Sequence, residues 1–329
     1  MRQTYPRRPV KAERGRGKED IVGSVTDRED GDTAVEVWEL DMGSATSIQR
    51  SAERVKRDLD RLDVLVLGAG VSLWKWKTAG DVDGAWEMTL QINALNTFLL
   101  ALNLLPTLQE TSKNFSRGGN HDPHLVIITS IAHRQSTFDK IENLDLYRVL
   151  NDKERFKPND RYAVTKLMEI LLVRKLVARL DTAGADAPPV TMNLLDPGLC
   201  KSTIARELEV SFLFCVAIDL ARLVFERTTE SGGRAYVLAA SAGPESHGGY
   251  LSNGELHDVE LCIYTDMGKK VQARVFEQTL RLYLAPEASN VAMFFRMKNQ
   301  IRKDDDRIAH TNFGLADIVT MHVENRADY

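Results

Sequence analysis

Four short apolar runs constrain the fold of this 329-residue chain more than any other feature. They cover residues 34–40, 63–67, 125–129 and 190–195, and each runs into a glycine or a polar residue. Because the runs are almost continuously hydrophobic rather than alternating, they predict strands buried on both faces of a parallel sheet. Helical periodicity over residues 47–62, 86–108 and 161–180 separates them, which indicates right-handed βαβ units. The sequence therefore predicts an α/β fold with a single, doubly wound, Rossmann-like parallel sheet.

Composition and charge exclude several classes of protein. The chain is 43% hydrophobic and 27% charged, with a net charge of -4, so neither a membrane span nor a nucleic-acid partner is expected. Cys200, Cys215 and Cys262 form no Cys-x-x-Cys pair, which argues against a disulfide scaffold and a zinc site and fits a reducing compartment. The longest apolar run, residues 210–220, is too short to cross a bilayer, and no signal-peptide core is present. We expect a cytoplasmic protein without a metal.

Shifts in composition predict three segments. Residues 1–30 begin with a basic stretch that lacks the interleaved aromatics of a nucleic-acid arm and the acid-poor amphipathic pattern of a transit peptide, so we expect a poorly ordered segment. Residues 31–285 carry the alternating strand and helix patterns and form the expected Rossmann-like domain. Residues 286–329 are charged or weakly periodic, and we expect a peripheral extension there.

The residues that follow the four apolar runs predict a binding site. Ligands of open parallel sheets bind at the carboxyl ends of the strands, and the ends in this sequence are Asp41, Gly68-Ala69-Gly70, Ser130 and Asp196-Pro197-Gly198. On the next long helix, Tyr162 and Lys166 are four residues apart and share one face. An ammonium beside a phenol lowers its pKa from about 10 toward working pH, so we expect a proton donor for a carbonyl oxygen.

Each of these signals is weak when it is taken alone. A Tyr-x-x-x-Lys pair occurs by chance on many helices, where it is simply exposed, and a lone Ser130 is more often a strand-end hydroxyl than a catalyst. His133 follows the serine and lies either in the cleft or on the surface. The occurrence of the tyrosine, the lysine and the serine together with the polar strand ends is what distinguishes a site from a chance pattern.

In these motifs the chain resembles the short-chain dehydrogenase/reductase family. The resemblance is to the retinol-dehydrogenase-like branch of fungal secondary metabolism and extends over about residues 13–284. The matching residues are Leu40-Asp-Met42, Gly68-Ala-Gly70, Asn93 within residues 91–96, Thr129-Ser130, Tyr162 with Lys166, and Asp196-Pro-Gly198 through Ser202.

The resemblance implies roles for these residues. Four are implied to be catalytic: Ser130, Tyr162, Lys166 and Asn93. A cofactor, NADP or alternatively NAD, is implied to contact Asp41, Met42, Gly68, Ala69, Gly70, Asn93, Tyr162, Lys166, Pro197, Gly198 and Ser202. The implied reaction interconverts a ketone and a secondary alcohol on a small, largely apolar metabolite, and homo-oligomers are common among such proteins.

The sequence departs from the family pattern at three places. Gly68 replaces the usual asparagine and Ser202 the usual threonine. The family's first strand and its Thr-Gly-x-x-x-Gly-x-Gly turn are absent, and Gly15 and Gly17, which sit among charges, do not replace them. We therefore expect an N-terminally truncated sheet. An inactive or cofactor-free relative with a binding role, or a truncated gene model, remains the alternative to an active oxidoreductase.

Overall fold

The computed structural model describes residues 36–79, 85–115, 122–136, 145–182, 189–200 and 227–284. The chain divides into two units, residues 1–41 and 42–329. In the first unit, residues 36–41 form neither strand nor helix, and the side chains of Val37 and Leu40 are exposed. The strand predicted over residues 34–40 is therefore wrong in its described part, because residues 36–40 do not belong to a strand. The predicted segments 1–30 and 286–329 lie outside the described residues and stay predictions.

A five-stranded sheet forms the centre of the second unit. In chain order the strands of the unit are β1 (Val64–Leu67), β2 (Thr78–Ala79), β3 (Trp86–Glu87), β4 (His124–Ile128), β5 (Thr191–Asp196), β6 (Tyr250–Ser252) and β7 (Glu255–His257). The order in the sheet is β1-β4-β5-β6-β7, with all neighbours parallel except β6 and β7. Strands β2 and β3 form a separate antiparallel pair.

Seven α-helices accompany the strands in the described residues. They are α1 (Ala45–Asp58), α2 (Thr97–Phe115), α3 (Leu146–Leu150), α4 (Pro158–Thr182), α5 (Thr229–Ala240), α6 (Leu261–Tyr264) and α7 (Asp266–Leu284). A π-helical segment, Leu90–Asn96, leads into α2, and 3₁₀ turns cover Ile131–Gln135, Lys153–Arg155 and Pro244–Ser246. None of these helices is long and apolar enough to cross a membrane.

The helix predicted over residues 86–108 differs from the observed one at both ends. Its first residues belong to β3, because the carboxylate of Glu87 accepts the N–H groups of Thr89 and Leu90 and so starts the helix after it. At the other end α2 continues past Pro106 to Phe115.

Helices cover both faces of the sheet. Leu125 and Ile127 of β4 join a large core with residues of α2, α4 and α7, whereas Val126 and Ile128 face a smaller core with α5. Period-two alternation along a strand places these pairs on opposite faces. The prediction of a doubly wound, parallel α/β fold is confirmed, with the antiparallel strand β7 as the exception.

Strand β1 is buried on one face only. Leu67 lies in the large core, but Val64 and Val66 are 41% and 38% exposed. Within the described residues β1 pairs with β4 alone, so it forms an edge of the sheet. The prediction that residues 63–67 are buried on both faces is therefore wrong for one face.

Candidate active site

Several predicted site residues meet at one edge of the sheet. Gly68 to Gly70 follow β1, Ser130 follows β4, and Asp196 ends β5, so all lie at carboxyl ends of neighbouring parallel strands. Helix α4 packs against the 3₁₀ turn after Ser130 and against the π-helical segment. This packing brings Tyr162 and Lys166 of α4 to the same edge.

Ser130 is held by the turn that it starts. Its Oγ accepts the N–H of Ala132 at 3.2 Å, and the same hydroxyl interacts with the phenol of Tyr162. The imidazole Nδ1 of His133 donates to the carbonyl oxygen of Ser130 at 2.8 Å. His133 is fully buried, with its ring edge-on to Tyr250 at 5.3 Å, and burial lowers its pKa. The sequence left the place of His133 open; it lies beneath the serine.

Lys166 is buried and its ammonium is bonded to the protein. The Nζ atom donates to the carbonyl oxygen of Ile128 at 2.9 Å and to Oε1 of Glu169 at 2.8 Å. It also lies 5.6 Å from the ring centroid of Tyr162. Although burial lowers the pKa of the ammonium, the neighbouring Glu169 and Tyr162 raise it, and the net direction is upward.

The pKa of Tyr162 is raised rather than lowered. Burial of the phenol has the largest effect and raises the pKa, whereas Lys166 lowers it, as the sequence predicts. The carboxylates of Glu169 and Asp196 raise it further, and the hydroxyl of Ser130 lowers it. The predicted net direction is wrong because burial and two acidic neighbours outweigh the one ammonium.

Asn93 joins the loop after β1 to helix α4. Its side chain is fully buried in the π-helical segment, a type of helical distortion that often occurs at functional sites. Oδ1 accepts the N–H of Val71 at 2.8 Å, and Nδ2 donates to the carbonyl oxygen of Val71 at 2.9 Å and to Oγ1 of Thr165 at 3.1 Å. The hydroxyl of Thr165 donates to the carbonyl oxygen of Tyr162 at 2.8 Å. Asn93 thus positions the helical turn that carries the tyrosine.

The glycines after β1 lie close to side chains of the site. A Cβ on Gly70 would lie 3.4 Å from Oδ1 of Asn93 and 3.8 Å from Nζ of Lys166. A Cβ on Gly68 would lie 3.4 Å from the side chain of Ile128 and 4.0 Å from the hydroxyl of Tyr236. At Gly68 the side chain of Tyr236 therefore stands beside the space that a larger residue would fill.

The segment after β5 is tied back by its aspartate. Oδ1 of Asp196 accepts the N–H of Gly198 at 3.0 Å, and Oδ2 accepts the hydroxyl of Tyr250 at 3.1 Å. Gly198 has a φ of 77°, which favours glycine. The backbone of Pro197 and Gly198 is thereby fixed at the same edge as Ser130.

The remaining predicted cofactor residues are placed as follows. Asp41 is exposed in the first unit. In the second unit, the carbonyl oxygen of Met42 accepts Nδ2 of Asn96 at 2.7 Å. Ser202, Gly15 and Gly17 lie outside the described residues.

The described residues fit the ribose and nicotinamide end of a dinucleotide. An ammonium has three N–H donors, and two of those on Lys166 are bonded to other described residues, so a third is open to a hydroxyl of the kind that a ribose carries. The hydroxyls of Ser130 and Tyr162 face each other at the strand ends, where a reacting oxygen can be bound.

Comparisons with known proteins identify the family. Residues 14–138 match the family model described as short chain dehydrogenase. The chain is similar to the short chain dehydrogenase/reductase dmxR8 of Cryptosporiopsis sp., with 32% identity over 80% of this chain and 77% of that protein. It is also 36% identical to the short chain dehydrogenase atnD of Emericella nidulans over 66% of each. The solved Pseudomonas aeruginosa RhlG/NADP active-site complex is 22% identical, with a TM-score of 0.44, over 64% of this chain and 72% of that one. The chain belongs to the short-chain dehydrogenase/reductase family of oxidoreductases.

Proposed function

We propose that this chain is an NADP(H)-dependent oxidoreductase that interconverts a ketone and a secondary alcohol on a small, largely apolar metabolite of fungal secondary metabolism. The observation that carries the proposal is the convergence of three side chains at the carboxyl edge of the sheet. The hydroxyl of Ser130 interacts with the phenol of Tyr162, and the ammonium of Lys166 lies 5.6 Å from the ring centroid.

Tyr162 is the proposed proton donor and acceptor. In reduction its phenol gives a proton to the carbonyl oxygen, and in oxidation the phenolate takes the proton of the alcohol. Because the pKa of Tyr162 is raised, the phenol is protonated at neutral pH, which is the form that reduction requires. The nicotinamide cofactor, when bound, supplies or accepts the hydride.

Ser130 and Lys166 support this proton transfer. The oxygen of Ser130 accepts the N–H of Ala132, and its hydroxyl, which interacts with the phenol of Tyr162, donates to the substrate oxygen when substrate is bound. Lys166 lowers the pKa of the phenol and keeps one N–H for a ribose hydroxyl. The preference for NADP over NAD and the apolar substrate class rest on the family resemblance.

Nucleotide binding and turnover test the proposal. Purified protein is titrated with NADPH and NADH, and a ligand at 100 times its Kd stabilises the fold by about 2.7 kcal/mol, which a thermal shift detects. Oxidation of NADPH is then followed with a panel of apolar ketones, using Tyr162→Phe as the test variant. Tyr264→Phe is the matched control, because that hydroxyl bonds only an exposed carboxylate, Asp258, among the described residues.

We expect a shift with NADPH and turnover that Tyr162→Phe abolishes and Tyr264→Phe keeps. If neither nucleotide stabilises the protein at millimolar concentration, the oxidoreductase proposal fails and a cofactor-free binding role is favoured. Turnover that survives in Tyr162→Phe overturns the assignment of the proton donor.

A further inference from the structure

The carboxylate of Glu169 is buried directly behind the proposed proton donor. Glu169 lies one turn beyond Lys166 on α4 and is 4% exposed. Its Oε1 accepts a hydrogen bond from Nζ of Lys166 at 2.8 Å. A buried carboxylate is costly without a partner, and no role in the proposed reaction has yet been given to this one.

The two oxygens of Glu169 have different surroundings. Oε2 is buried and accepts no hydrogen bond within the described part of the chain. The hydroxyl of Thr129 lies beside the carboxyl, but it donates to the carbonyl oxygen of Lys166 at 3.1 Å. Oε2 is therefore the atom at which a proton can be taken up without breaking an existing hydrogen bond.

Glu169 and Lys166 act on Tyr162 in opposite directions. The positive charge of the lysine lowers the pKa of the phenol and the negative charge of the glutamate raises it. While both groups are charged, their effects on the phenol partly cancel. When the carboxyl takes up a proton, the charge of the ammonium acts on the phenol without this opposition.

Other titratable groups around the phenol and the ammonium come from several elements. Among the described residues, the titratable groups that act on Tyr162 and Lys166 from outside α4 are Asp196 at the end of β5 and Tyr236 of α5, and His133 lies nearby, bonded to the carbonyl oxygen of Ser130. From α7, the uncharged Gln272 donates to the backbone of Leu171. Of the carboxylates that act on Tyr162, Asp196 and Glu169, the latter is the one bonded to the ammonium.

We propose that Glu169 is a positioning residue of the reaction: its carboxylate anchors the ammonium of Lys166 beside Tyr162, and its protonation state sets how strongly that ammonium acts on the phenol. This inference rests on the proposed function for its catalytic meaning. Burial raises the pKa of Glu169 to about 7, with Lys166 opposing, so the carboxyl changes its protonation state near neutral pH.

Nuclear magnetic resonance of the phenol tests the inference without turnover. Tyrosine labelled with ¹³C at Cζ is incorporated, and the signal of Tyr162 is assigned by its loss in Tyr162→Phe. We expect this signal to shift with an inflection near pH 7 in the unmodified chain. The inflection disappears in Glu169→Gln, which keeps an acceptor for the ammonium but cannot ionise.

Glu87→Gln is the matched control for the loss of a buried carboxylate. Glu87 is fully buried and pairs with Arg161, but it is not among the groups that act on Tyr162. The control therefore keeps the inflection of the Tyr162 signal. If the inflection is unchanged in Glu169→Gln, it belongs to another group, such as His133, and the proposal is overturned. The proposal is also overturned if the signal of Tyr162 shows no inflection in the unmodified chain.

Kinetic measurements distinguish the two proposed effects of Glu169, its anchoring of the ammonium and its negative charge. We expect Glu169→Gln to retain turnover, with the alkaline limb of ketone reduction shifted to lower pH by on the order of one unit. Glu169→Ala loses the anchor as well and drops in kcat by at least about tenfold. Equal kcat in both variants overturns the anchoring role. If no substrate turns over but the Tyr162 signal still follows Glu169, the proposed function fails while the coupling between the two groups stands.

Discussion

Replacement of Asn93 by alanine is the most direct test of how the loop after β1 is fixed to α4. The substitution removes three hydrogen bonds, two to the backbone of Val71 and one to Thr165, from a fully buried side chain. A neutral hydrogen bond contributes about 0.5–1.5 kcal/mol net, and an unpaired buried partner costs more. We therefore expect Asn93→Ala to lower the free energy of unfolding by about 2–4 kcal/mol.

Urea unfolding followed by tryptophan fluorescence measures this loss. Asn103→Ala is the matched control, because among the described residues the amide of Asn103 makes a single bond, to the carbonyl oxygen of Leu99 on the same helix, at 2.9 Å. We expect the control to lose less than about 1 kcal/mol. Thr165→Val removes one of the three bonds of Asn93, together with the bond from Thr165 to the carbonyl oxygen of Tyr162, and should fall between them.

Catalysis supplies a second readout for the same variant. Since Thr165 also bonds the backbone of Tyr162, loss of Asn93 loosens the turn that carries the phenol. At a temperature where the variant is folded, kcat should fall by more than tenfold while the control keeps its rate. Equal stability of Asn93→Ala and Asn103→Ala would refute the reasoning, because it would mean that the three bonds contribute nothing beyond one local bond.

Three further predictions concern buried charge and the serine. Arg161→Met leaves the buried carboxylate of Glu87 without its partner at 3.4 Å, so we expect a loss of about 3 kcal/mol in urea unfolding; a loss below about 1 kcal/mol would contradict this. Ser130→Ala should lower kcat about 100-fold without unfolding the protein, because it removes a donor to the reacting oxygen; near-normal kcat argues against that role. Because burial raises the pKa of Glu169 from 4.5 to about 7, the folded state binds a proton that the unfolded chain has released. The contribution of Glu169 to stability should therefore fall by about 3 kcal/mol as pH rises from 4.5 to 7, measured in urea unfolding as the difference between the unmodified chain and Glu169→Gln at each pH; a difference that does not change with pH would contradict this.

The parts of the fold that local pattern determines could be predicted from the sequence. The runs that became β4 and β5 lie in the middle of the sheet with helices on both faces, so their continuous hydrophobicity reports burial directly. Helix α4 follows its apolar periodicity to within three residues at each end. Strand ends and a shared helix face then suffice to bring Ser130, Tyr162 and Lys166 to one edge.

Features that depend on distant partners could not be predicted in this way. Residues 36–40 and β1 have similar apolar sequences, but neither is buried on both faces, because strand pairing and helix cover come from elsewhere in the chain. The start of the helix before α2 depends on the carboxylate of Glu87, whose buried partner Arg161 lies 74 residues further on. Apolar periodicity carries no information about such an ion pair.

At the site, the pKa of Tyr162 is a property that the sequence predicts only in part. The sequence shows the lysine four residues on, but burial and the contribution of Asp196 from β5 follow only from the folded chain. Glu169 did leave a signal, since Tyr162, Lys166 and Glu169 are spaced four and three apart and share one face of α4. The apolar periodicity of α4 does not by itself reveal Glu169.

Position and acidity of the proposed proton donor are therefore controlled by different neighbours. Asn93 acts through Thr165 on the backbone of Tyr162 and carries no charge, whereas Glu169 acts through the ammonium of Lys166 on the phenol itself. Loss of Asn93 should change kcat and stability but leave the pH dependence of the Tyr162 signal intact. Replacement of Glu169 by glutamine should retain kcat but change the pH dependence of both the Tyr162 signal and the stability. If both variants moved the same observables together, the two sets of contacts would form one cooperative unit, and the separation of position from acidity would be wrong.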